Sequence, residues 1–82
     1  MPTIKVMING LPGNVATVIA RHFIADRRFK VLPYALTGPD IDAREVLIDT
    51  LSIELIRPDA QEARIAAIIA AEAPFISVDF TH

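Results

Sequence analysis

The segment Ile8-Asn9-Gly10-Leu11-Pro12-Gly13-Asn14-Val15-Ala16 separates two hydrophobic periods that cannot belong to one element. Before it, the run "TIKVMI" is apolar and rich in β-branched residues, as in a strand buried on both faces. After it, Val15, Val18, Ile19 and Phe23 recur at i, i+3, i+4 and i+8, which predicts one apolar stripe of a helix that starts at Gly13. A strand that passes through a glycine turn directly into a helix begins an alternating α/β chain. His22 lies beside the stripe and reads as a partly exposed helix residue.

The alternation continues. "Asp-Arg-Arg" at 26–28 ends the helix, and "FKVLPYAL" at 29–36 predicts a second strand. Pro33 cannot donate to a ladder, so a bulge or an unpaired amide position is expected there. "TGPD" at 37–40 is a loop, with Gly38 able to take positive φ. Two β-type runs, Glu45–Ile48 and Ser52–Ile56, flank Asp49-Thr50-Leu51 and predict a hairpin. Pro58 ends that run. Asp59 then stands as a helix N-cap with Glu62 three residues on, a near capping box. The alanine-rich helix at 60–73 places Ile65, Ile68 and Ile69 on one face, and Pro74 stops it before the last strand, "FISVDF". The expected fold class is α/β: a partial Rossmann-like parallel sheet of strand order 3-2-1-4 with a β-hairpin insertion, residues 1–82 forming one domain.

Several functions are excluded by composition. The chain has 82 residues and no cysteine, so neither disulfides nor thiolate metal sites are possible, and two distant histidines argue against a metal centre. No apolar run approaches the roughly 20 residues of a membrane span. The first strand begins by Thr3, which leaves no stretch for a signal or transit peptide, and a cytoplasmic location is expected. The net charge of −2 is uneven. Residues 1–39 carry five basic and one acidic side chain, whereas residues 40–82 carry three basic and nine acidic ones. A basic first half suits an anionic ligand; equally, Arg27 and Arg28 can close a helix C-terminus in solvent. No basic, aromatic-studded surface suggests nucleic acid.

The glycine turn carries the chemistry. Backbone N–H groups in such a turn and at a helix start attract a phosphate. Gly10 lets the chain reverse, Gly13 lets the backbone approach a pyrophosphate, and Ala16 keeps the helix close to the strand. The spacing G-x-x-G-x-x-A differs from the usual G-x-G-x-x-G. The second strand ends without the carboxylate that commonly holds a ribose 2′-hydroxyl. Asp40 stands beyond Pro39, and Thr37 is placed to donate to a 2′-phosphate, which favours NADPH over NADH.

Taken together, "IKVMINGLPGNVA", "FKVLPYALTG", "REVLIDTLSIELIRP" and "SVDFTH" resemble the amino-terminal half of the dihydrodipicolinate reductases (4-hydroxy-tetrahydrodipicolinate reductases), nearest to the plant and cyanobacterial type. The resemblance covers essentially the whole chain. It implies an NADPH- or NADH-dependent oxidoreductase of lysine biosynthesis, by the diaminopimelate route. It also implies that Gly10, Leu11, Pro12, Gly13, Asn14 and Val15 grip the cofactor pyrophosphate. Thr37 and Gly38 would then lie by the adenosine ribose, and Asp79, Phe80 and Thr81 beside the nicotinamide. Many members have a basic residue at the position of Asn14 and an acid–base pair at Thr37-Gly38. The family also continues into a Gly-Thr-Thr-Gly segment and a substrate domain. The chain therefore reads as a truncated amino-terminal part of a longer reductase, without catalytic residues of its own. A second reading, a non-catalytic assembly module, rests on the last strand: its exposed edge would make a homo-oligomer by strand pairing or exchange.

Overall fold

The computed structural model describes residues 3–80. The elements are β1 (Ile4–Asn9), α1 (Asn14–Ala25), β2 (Phe29–Val31), β3 (Tyr34–Leu36), β4 (Glu45–Ile48), β5 (Leu51–Ile56), α2 (Gln61–Glu72) and β6 (Ile76–Asp79), with a 3-10 turn at Pro58–Ala60 before α2. The fold is mixed α/β. Instead of one four-stranded ladder, pairing divides between two three-stranded sheets, β2-β1-β6 and β3-β5-β4. The first is wholly parallel; in the second, β3 runs parallel to β5 and β4 antiparallel to it.

The expected second strand is broken at Leu32-Pro33, and proline is the cause. The Leu32 N–H still donates to the Val6 carbonyl at 2.8 Å. Pro33 has no N–H to continue toward β1, and its carbonyl accepts from the Glu54 N–H on the other side at 3.0 Å. The chain thus changes partner within two residues, from β1 to β5. Contact with β1 resumes past the break, where the Gly10 N–H donates to the Leu36 carbonyl at 2.9 Å.

β1 is buried from Val6 to Asn9, as its unbroken apolar run requires. Val6 and Ile8 join the larger core cluster under α1, with Leu11, Val31, Ile53 and Leu55. Met7 points the opposite way, into a smaller cluster with Leu32, Ile56 and Ile68 of α2. The face that α1 buries differs from the expected stripe. Ala16 and Ala20 are buried, with Ile19, Phe23 and Ile24 packed around them, while Val15 and Val18 are 63% and 51% exposed. The turn brings α1 close to the sheet, so the smallest side chains face inward and the valines rotate out. Phe23 meets Phe29 edge to face, with centroids 4.8 Å apart.

The hairpin forms with a shorter turn than expected. Leu51 pairs with Ile48 as the first residue of β5, and Asp49 takes φ 56° in the two-residue loop. The capping box at Asp59 does not form. Pro58 starts the 3-10 turn early, Asp59 lies inside it, and Ala60 occupies the cap position of α2 with no side-chain bond. Ile68 is buried and Ile65 half-buried, but Ile69 is 50% exposed, so α2 buries a narrower face than its sequence suggests. Its C-terminus is held by Lys5, whose Nζ donates to the Glu72 carbonyl at 3.1 Å and lies 3.5 Å from the Glu72 carboxylate. No helix among the described residues is long and apolar enough to cross a membrane.

Candidate functional site

The glycine turn sits where β1, β3 and β6 all end. Gly10 adopts φ +101°, and a Cβ placed on it would lie 2.9 Å from the carbonyl carbon of Phe80. Only glycine allows both that conformation and that approach. The Phe80 N–H donates to the Asn9 carbonyl at 3.0 Å, which ties the end of β6 to the turn. Gly13 serves the turn itself. Its N–H donates to the Gly10 carbonyl at 2.9 Å, and a Cβ there would lie 2.9 Å from that same oxygen. The Gly13 amide is therefore taken, and the space beside Gly13 holds the Gly10 carbonyl, not a ligand.

Open donors begin one residue later. The Thr17 N–H closes the first helical bond, to the Gly13 carbonyl at 2.9 Å. The amides of Asn14, Val15 and Ala16 meet no acceptor among the described residues, and no side chain caps α1. The N–H groups of exposed Asn14 and Val15 thus stand open at the positive end of a helix dipole beside exposed Pro12 and Gly13, whereas Ala16 is 1% exposed. Leu11 is 1% exposed and part of the core, so only its backbone borders the turn.

Thr37 is not the free donor that the sequence suggests. It is 2% exposed, and its hydroxyl donates to the Leu11 carbonyl at 2.7 Å. Its N–H donates to the Ile56 carbonyl at 2.9 Å, and its carbonyl accepts from the Gln61 side chain at 3.2 Å. A 2′-phosphate cannot be reached by a hydroxyl already spent on the turn. Thr37 is instead the joint between the end of β3 and the glycine turn. Gly38 has no positive φ, and nothing lies within 4 Å of a Cβ built on it, so its conformational freedom is not used.

Between the turn and the loop after β3 lies a cleft of about 670 Å³, lined by residues 10–16, by residues 37–41 and by Phe80. That size suits a small-molecule ligand. Of the expected site residues, the cleft gathers Gly10 to Val15, Thr37, Gly38 and Phe80. Asp79 is not part of the lining. It pairs in register with Asn9 and, by strand alternation, lies on the α2 side of the sheet, whereas Phe80 faces the turn. Thr81 lies outside the described residues.

The basic residues of the first half do not address the cleft. Arg28 is paired with Asp26 at 2.7 Å, Lys5 with Glu72, and Arg21 lies 3.8 Å from Asp49. Among the described residues Asp40 is the one charged residue of the lining. Among the described residues no group of three or more His, Cys, Asp or Glu side chains could hold a metal ion.

Two supporting residues are not among those that the sequence pattern points to. Asn9 is 4% exposed; its Oδ1 accepts from the Leu36 N–H at 3.0 Å and its Nδ2 donates to the Ser77 hydroxyl at 2.9 Å. It thereby ties β3 and β6 to β1 at the end where the cleft opens. The available signal is a lone amide closing a doubly buried apolar strand, since such a group requires partners. Gln61 offers no such signal, because its bond to Thr37 depends on where α2 docks. No protein-family model matches this chain, and no curated protein matches it at a significant level.

Proposed function

We propose that the chain is the cofactor-holding part of a dihydrodipicolinate reductase-like oxidoreductase of lysine biosynthesis, and that the cleft takes NADH or NADPH. The observation that carries this reading is the placement of the open amides of Asn14 and Val15. They lie at the mouth of a cleft formed where parallel strands end. Pyrophosphate would sit on those amides, one residue beyond the position that the glycine spacing suggests.

The reading treats β2 and β3 as one strand interrupted by Pro33. Counted so, β5, β2–β3, β1 and β6 follow the order 3-2-1-4 of a Rossmann-like half-sheet, with β4 as the inserted hairpin strand. The bonds from Leu32 to Val6 and from Gly10 to Leu36 support that count. Phe80 would border the nicotinamide end, with Asp79 behind it. Such cofactors carry the hydride chemistry, and the protein supplies position and field. Among the described residues the cleft offers no cationic clamp for a dicarboxylate, so no reductase activity is expected of these residues alone.

The test is calorimetric titration of the wild-type chain and of Asn14→Glu with both dinucleotides. A carboxylate at the first helical position favours the helix dipole and repels a phosphate, so the two properties move in opposite directions. We expect unchanged or raised thermal stability with affinity lower by at least about tenfold. Equal affinity in the variant would discard the pyrophosphate assignment.

One observation favours a second reading, assembly through the β6 edge. Among the described residues β6 pairs only with β1, and Ile76, Ile4, Val15 and Val18 are exposed on the α1 side of that sheet. Multi-angle light scattering would then give a dimer or larger species, and a monomer at high concentration removes this reading.

A further inference from the structure

Resting on the dinucleotide reading above, we infer that Thr17 and Thr37 are positioning residues for the phosphate end of the cleft. Their hydroxyls keep the Asn14 and Val15 amides open by occupying the two carbonyls that would otherwise take them. Every carbonyl from Asn9 to Gly13 accepts a hydrogen bond from the protein. Those of Asn9, Gly10 and Gly13 accept from backbone, the N–H groups of Phe80, Gly13 and Thr17, at 3.0, 2.9 and 2.9 Å. Those of Leu11 and Pro12 accept from side chains, the Thr37 hydroxyl at 2.7 Å and the Thr17 hydroxyl at 3.4 Å.

In a turn that enters a helix, a carbonyl readily takes the N–H three residues on, as the Gly10 carbonyl takes that of Gly13. For Leu11 and Pro12 the residues three on are Asn14 and Val15. Bare carbonyls at those two positions would gain by bonding these amides, because an unpaired acceptor out of water is costly. The hydroxyls come from outside that spacing. Thr37 reaches Leu11 across 26 residues from the end of β3, and Thr17 reaches back from the first turn of α1. Thr37 is 2% exposed and Leu11 1%, so their bond lies in the core. Thr17 holds two successive peptide groups, the Pro12 carbonyl through its hydroxyl and the Gly13 carbonyl through its N–H. The N–H of a trans peptide points opposite to its C=O, so holding the Gly13 carbonyl also fixes the direction of the Asn14 N–H. The turn thereby engages its acceptors within the protein and leaves two donors for a phosphate.

The experiment compares the wild-type chain with Thr17→Val, Thr17→Ser, Thr37→Val and Thr37→Ser. Valine removes the hydroxyl at nearly constant shape, and serine keeps it. Amide hydrogen exchange, followed by NMR without ligand, should be fast at Asn14 and Val15 in wild type. It should slow by about three- to tenfold at Val15 in Thr17→Val and at Asn14 in Thr37→Val. Calorimetric affinity for inorganic pyrophosphate and for NADH should fall by a like factor in each valine variant and stay within about twofold of wild type in each serine variant. A purely structural hydroxyl would lower the melting temperature and leave both readouts unmoved. Thr17 is half-buried and lies off the cleft lining, so its pair of variants carries the test if Thr37→Val does not fold. Equal exchange in the threonine and valine proteins, or losses that serine also shows, overturn the role of the hydroxyls and leave the cofactor site standing. A wild-type chain that binds neither pyrophosphate nor NADH at millimolar concentration overturns the dinucleotide reading, and this inference with it.

Discussion

Single residues around the turn differ sharply in how much they constrain the chain. Gly10 combines positive φ with a Cβ position 2.9 Å from Phe80 backbone, while Gly38 has neither constraint. Gly10→Ala should therefore destabilise by about 2 kcal/mol or more. Gly38→Ala should be neutral or stabilise by about 0.5 kcal/mol through the unfolded state. Urea denaturation of the pair measures the contrast, and equal losses would refute it. Asp26, next to the end of α1, is a second case. Hydrogen bonds from the Arg28 side chain and then from its N–H hold the Asp26 carboxyl at about 2, below its ordinary 3.8. A depressed carboxyl contributes stability that is complete above 3.8 and disappears as pH falls through about 2. Carboxyl carbon shifts should report that low midpoint, and Arg28→Ala should raise it only part of the way to 3.8, because the backbone N–H at position 28 still donates to the carboxylate.

At the scale of elements, local pattern identified both α-helices and the strands, with β2 and β3 read as one, but not every face. α1 was legible in length and limits, because its period and the glycine before it are local. Its inner face was not, because the close approach to β1 selects Ala16 and Ala20 over Val15 and Val18. Val18→Lys should thus change stability by no more than about 0.5 kcal/mol. Ala20→Leu should cost about 1–3 kcal/mol by overpacking. Thermal melts of the two separate the observed face from the one suggested by i, i+3, i+4 spacing. The same distinction holds at Pro33. A break was legible from the missing N–H, but not that the chain would there exchange β1 for β5. At α2, Asp59 and Glu62 form a plausible cap pattern in isolation; the 3-10 turn set by Pro58 removes it.

For the whole molecule, protection should follow pairing and depth. β1 lies between β2 and β6 and is buried on both faces, whereas β6 and β4 are the outer strands of their sheets. α2 buries only Ile68 fully. Native-state hydrogen exchange should therefore find the slowest amides in Val6–Ile8 and faster exchange in α2 and β6. Uniform protection across these elements would contradict that order. The candidate site belongs to this scale too. Its glycines were legible at once, and Gly10 reverses the chain as expected, but Gly13 also shapes the turn and the open donors are the amides of Asn14 and Val15.

What the amino-acid sequence determined alone is what neighbours along the chain can enforce: the change of period across Gly10 to Gly13, the break at Pro33, the hairpin and the order of elements. What only the tertiary structure decided depends on contacts between distant residues. These are the alanine face of α1, the amide strap of Asn9 across three strands, the engagement of the Thr37 hydroxyl, and the meeting of Asp40 with the glycine turn. A backbone preference acts within a few residues, whereas the partner of a buried polar group, and the charge that a cleft presents, are set by whichever segments the sheet brings side by side.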